Sequence, residues 1–176
     1  MSTSERNAAR PPIEEYTVEK LSLILWRERE LLELLAYKLE LEQLVLASGR
    51  TRWLANSTRE VEEVLATIRE TEVLRAVAAD EMASELGLEP SPSLNELAEA
   101  APEPWATILL DHRAAFITAT REIAELSESN RGLITAGYRS ARETLLSIGG
   151  SADGYSPDGS AVLDNGPRRR LVDRSL

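Results

Sequence analysis

From Trp105 onward, apolar residues recur at alternating intervals of four and three, through Leu109, Phe116, Ala119, Ile123, Leu126 and Leu133, with His112, Asn130 and Gly137 filling the same seam. From Ile134 the line shifts by a residue, to Tyr138, Ala141, Leu145 and Ile148. This spacing keeps one stripe of a helix turned toward its neighbours. It predicts a single helix over 105–148, roughly 65 Å long at 1.5 Å per residue. Such a helix cannot bury its own stripe. The rest of the chain must cover it, or a partner must.

Two further long helices are expected upstream. The first spans about 18–47, with Thr17 as its N-cap and a seam of Leu21, Leu25, Glu28, Leu32, Leu35, Leu39, Glu42 and Leu46. Beside it runs a second line, Ile24, Leu31, Leu34, Leu41 and Val45, which makes the apolar face wide enough for two neighbours. Ser48-Gly49 breaks this helix, and a second one is expected over about 51–86, ending at Gly87. The short break makes the first two helices antiparallel neighbours. A proline-rich connector follows, in which Ser93 and Glu96 form the S-x-x-E capping pattern of a short helix over 94–100. Pro104 suits the first turn of the last helix, where its missing N–H costs nothing.

The expected fold is all-α, an elongated bundle of three long antiparallel helices with a short connector helix, over residues 17–148. Residues 1–16 and 149–176 lack apolar periodicity and are dense in polar residues, Gly and Pro, so they are expected to be disordered, a flexible leader and a flexible tail. The charged seam positions Glu28, Glu42, Glu72 and Arg75 have two readings, pairing across helices or, the favoured one, placement at the edge of the bundle with their stems covering apolar surface. Asn130 has two readings. It pairs with a bundle residue such as Glu28 or Glu42, or it hydrogen-bonds an incoming chain.

Composition narrows the chemistry. The chain has no cysteine and one histidine, His112, which excludes disulfides, thiolate metal sites and multi-histidine zinc sites. A di-iron bundle needs paired Glu-x-x-His motifs, and Leu109 stands three residues before His112. No catalytic residue, metal or cofactor is expected. The formal net charge of -10 lies almost wholly before residue 149, which argues against nucleic acid as a partner. The basic cluster Arg168-Arg169-Arg170 with Arg174 is balanced by four aspartates in the same tail. No apolar run approaches membrane-spanning length, and the N-terminus lacks a signal-peptide core, so no stable membrane insertion and a cytoplasmic location are expected.

In order and spacing, these features resemble the FlgN-type flagellar export chaperones. The resemblance rests on Leu31-Leu32-Glu33-Leu34-Leu35 in the first helix, the break at Ser48-Gly49, Ser129-Asn130-Arg131-Gly132-Leu133-Ile134 in the last helix, and Tyr155-Ser156-Pro157-Asp158-Gly159 in the tail. The family often carries an Asn-x-x-Asn pair before Leu-Ile; here Ser127 stands at the first position and Asn130 at the second. The resemblance implies a non-enzymatic cytosolic chaperone. It would bind hook-associated proteins, by their terminal amphipathic helices, prevent their premature assembly and help deliver them to the export apparatus. It further implies client binding by Asn130, Leu133, Ile134, Tyr138, Ala141, Leu145, Ile148 and Tyr155. Leu126 and Gly137 join this set as the start of the lower half of the seam and as a small residue within it. The alternative is a homodimeric coiled-coil adaptor or scaffold whose seam from Ile134 to Ile148 is consumed by self-association.

Overall fold

A computed structural model of the chain describes residues 15–152, and the side chains of 17–148. The described residues form four α-helices and no strand: α1 (Glu15–Ala47), α2 (Leu54–Leu86), α3 (Leu94–Ala100) and α4 (Trp105–Ala152). The described residues divide into two compact units, with the boundary between Leu133 and Ile134. The expected leader and tail lie almost wholly outside the described residues.

The ends of the elements follow from local chemistry. α1 is already helical at Glu15, so Thr17 is not its cap. The Thr17 hydroxyl instead donates to Glu85 Oε1 of α2 at 2.6 Å. After α1, Gly49 takes a left-handed φ of +65°, and a 3-10 turn over Thr51–Trp53 leads into α2. The second helix ends at Gly87, φ +69°, with the Leu88 N–H donating to the Ala83 carbonyl at 2.8 Å. A side chain at either glycine would be strained by the left-handed backbone. α3 carries a complete capping box: Ser93 Oγ accepts from the Glu96 N–H, and Glu96 Oε2 accepts from the Ser93 N–H. Pro104 stands just before α4 rather than inside its first turn, its carbonyl accepting the Ile108 N–H.

The core of the first unit has two parts. At one end Val18, Leu21 and Leu25 of α1 meet Ala78, Ala79, Met82 and Ala83 of α2, Leu97 and Ala98 of α3, and Leu109 of α4. The alanines of α2 leave room for the leucines of α1. The short α3 therefore contributes to the core as well as connecting α2 to α4. At the other end Leu31, Leu32, Leu35 and Leu39 pack with Val61, Val64 and Ile68, and Phe116, Ala119, Ile123 and Leu126 of α4 close over them. Truncating a fully buried leucine such as Leu21 or Leu25 to alanine in cores of this kind costs about 2–5 kcal/mol.

Two of the charged seam positions depart from expectation. Glu28 and Glu42 are buried rather than placed at the edge. Glu28 Oε2 lies 2.7 Å from Arg75 Nε of α2. Glu42 Oε1 accepts from the Thr58 hydroxyl at 2.8 Å. Each carboxylate sits where the seam turns inward, and each has a polar partner across the helix pair. Burial without a partner would have been far more costly than edge exposure. Glu72 does stay exposed.

Candidate interaction surface

The lower part of the α4 seam divides sharply. Leu126 is half-buried against the leucines of α1, and Leu133 is also half-buried. Asn130 is 3% exposed. Its Nδ2 donates to the Leu39 carbonyl at 2.9 Å and to Glu42 Oε2 at 3.1 Å. Both amide hydrogens are therefore used inside the bundle. Because Glu42 also accepts from the half-buried Thr58, one polar chain joins α1, α2 and α4. Of the two readings of Asn130, the geometry matches the pairing with Glu42. An incoming chain would have to displace that contact, so Asn130 is removed from the accessible set. Beside it, Gln43 Nε2 donates to Ser129 Oγ at 2.6 Å.

In the second unit the picture reverses. Ile134, Tyr138, Leu145 and Ile148 are 49, 72, 70 and 62% exposed. Ala141 and Gly137 are exposed as well, and Leu146 adds to the apolar surface. Positions 134, 138, 141, 145 and 148 fall within one stripe of a helix, advancing by four and three. A Cβ built on Gly137 meets nothing within 4 Å, so that glycine is not required by packing. Tyr155 lies outside the described residues.

Chemistry beyond binding finds no support from His112. It is buried, its ring 5.0 Å from that of Trp26 in an edge-on contact, and neither ring nitrogen has a hydrogen-bond partner. Burial, helped by the nearby Arg29 cation, holds its pKa below the usual histidine value, and Asp111 opposes this. Such a group is a packing residue. Among the described residues no cluster of His, Asp or Glu is arranged to hold a metal ion. None of their helices is long and apolar enough to cross a membrane.

One apolar surface lies largely outside the two lines the sequence spacing picks out on α1. Leu23, Trp26, Tyr37 and Leu44, which belong to neither line, are exposed together with Leu34 of the second line. The signal was present: Leu23, Trp26, Tyr37 and Leu44 recur on the side of α1 away from its core line, and large apolar residues there make a further face to cover.

In comparison with known proteins, residues 17–162 match the family model described as "FlgN protein". No curated protein and no solved structure gave a match. The match spans all four helices and most of the chain, and the all-helical architecture agrees with it. The chain belongs to the FlgN family of flagellar export chaperones.

Proposed function

We propose that this chaperone binds hook-associated proteins of the flagellum through the exposed stripe of α4, keeps them unassembled and passes them to the export apparatus. The observation that carries the reading is the exposure of Ile134, Tyr138, Leu145 and Ile148 on one helical stripe of a FlgN-family chain. With Gly137 and Ala141 between them, these side chains offer an apolar strip relieved by small residues, a surface suited to the apolar face of an amphipathic helix. Leu126, Asn130 and Leu133 serve as its foundation within the first unit, rather than as contacts. Tyr155 is proposed as an additional contact from the tail.

Burying about 600 Å² of apolar area would supply a gross 15 kcal/mol or so, at about 25 cal/mol/Å². Ordering a disordered client helix and losing translational freedom consume much of this. The result is a reversible complex, as a carrier that must release its cargo requires. Co-purification with hook-associated proteins tests the reading. Capture that survives Ile134→Asp and Leu145→Asp in a folded protein would overturn it.

A further inference from the structure

α1 carries more apolar surface than its bundle uses. Leu23, Trp26, Tyr37 and Leu44 are each at least half exposed, with Leu34 close behind. Half-buried Leu41 falls on the same line. With the exposed Glu30 filling the step between Trp26 and Leu34, the positions advance by threes and fours over 23–44, opposite the face that carries Leu21, Leu25, Leu32 and Leu39 into the core. At about 200 Å² for a fully exposed large side chain, the five exposed residues present about 550 Å². That is near the upper end of the largest apolar patch on a typical monomer, about 300–600 Å².

We propose that this outer face of α1 docks against the same face of a second copy of the chain, antiparallel, across a two-fold axis between Glu33 and Leu34. Three observations favour a second copy over another partner. The first is the symmetry of the line. Leu23 and Leu44, Trp26 and Leu41, and Glu30 and Tyr37 are each equally spaced about that midpoint. Antiparallel pairing therefore sets leucine against leucine and tryptophan against leucine, and brings the exposed Glu30 carboxylate level with the Tyr37 hydroxyl of the second copy. An isologous contact requires this kind of self-complementarity.

The second is charge. The chain as a whole carries -10, which repels a second copy. Along 23–44, however, the charges that reach the surface balance: Arg27, Arg29 and Lys38 against Glu30, Glu33 and Glu40, while Glu28 and Glu42 are turned inward. The exposed Val73, Leu74 and Val77 of α2 lack this balance, lying among Glu70, Glu72, Asp80 and Glu81 with only Arg69 and the Glu28-paired Arg75 to offset them. The third is area. Two copies of the α1 patch, with the stems beside them, reach about 1,200–1,500 Å², within the range of specific stable interfaces. One end of the line also opens into a groove of ≈ 620 Å³ lined by Leu41, Leu44, Val45 and Trp53, into whose mouth the second copy's Leu23 would be delivered.

The proposal is independent of client binding at 134–148. The absence of cysteine makes it directly testable by introduced cysteines in the full-length chain. Sedimentation equilibrium should show a dimer. Leu34→Cys, next to the proposed axis, should oxidise to a self-linked dimer, and a mixture of Leu23→Cys and Leu44→Cys chains should cross-link far more than either alone. Leu23→Glu combined with Leu44→Glu should raise the dimer dissociation constant at least tenfold while the far-UV circular dichroism is unchanged. If that variant loses helicity, the cysteine map decides alone. A protein that remains monomeric at the highest attainable concentration overturns the proposal. So does a dimer that cross-links through Val73→Cys or Tyr138→Cys and not through Leu34→Cys.

Discussion

Asn130 and Glu42 meet in the interior, with the amide nitrogen 3.1 Å from a carboxylate oxygen, and the same amide also reaches the Leu39 carbonyl. This contact fixes the register of α4 on α1 near the point where the α4 seam passes from buried to exposed. Asn130→Ala should destabilise the protein by about 2 kcal/mol, the cost of leaving a buried acceptor without its donor. Asn130→Asp should cost more, because it places a second carboxylate beside Glu42. Urea unfolding of Asn130→Ala, Glu42→Gln and the double variant measures the coupling. Additive effects would show that the pair does not act as a unit.

The buried Glu28 and the partly exposed Arg75 form a second polar link, between α1 and α2. Burial holds the Glu28 carboxyl above its ordinary value of 4.5, the Arg75 cation pulls it down, and Glu72 pushes it up again. A carboxyl raised in the folded state contributes stability that is complete below the unfolded value and is lost as pH rises through the folded one. Removing the cation leaves the charge buried and unpaired. Because the Arg75 side chain is itself partly exposed, Arg75→Ala should cost about 1–2 kcal/mol at neutral pH, below the loss for a fully buried pair, and less at pH 4.5. Equal losses at both pH values would contradict the pairing.

The opposite slope belongs to His112. Its pKa is lowered by burial first and by Arg29 second. The unfolded chain therefore binds the proton more readily, and stability present above the ordinary value of 6.5 is lost as pH falls below it. His112→Phe removes two buried nitrogens that lack partners and keeps a ring against Trp26. It should be at least as stable as the parent at pH 7.5, by up to about 1 kcal/mol. The advantage should grow at pH 5.5. A fall in stability at both pH values would show that the imidazole is satisfied after all.

Much of this fold was legible before the structure. Apolar periodicity separates helix from strand, and Gly49, Gly87 and the Ser93–Glu96 box are punctuation with a direct backbone cause. The burial of Glu28 and Glu42 was not legible. A glutamate in a seam reads as an edge residue until the partner across the helix pair, Arg75 or Thr58, is known to face it. Thr17 misled for a related reason, since its hydroxyl reaches Glu85, 68 residues away, and not the backbone of its own helix. The exposed stripe 134–148 was legible as apolar, but its exposure depended on where the buried part of α4 ends. Asn130 belongs to that buried part because its donors meet α1.

The central claim is that the chaperone holds its client by the α4 stripe and its fold by the residues just before it. The most direct measurement is calorimetric titration of a hook-associated protein into the full-length chain and into Ile134→Asp, Leu145→Asp and Asn130→Ala variants, with circular dichroism as the fold control. Each aspartate variant should weaken binding at least tenfold with its thermal midpoint unchanged, and Asn130→Ala should lower the midpoint while a still-folded sample binds within a few-fold of the parent. Unchanged affinity in both aspartate variants, or loss of binding confined to a folded Asn130→Ala, would contradict it.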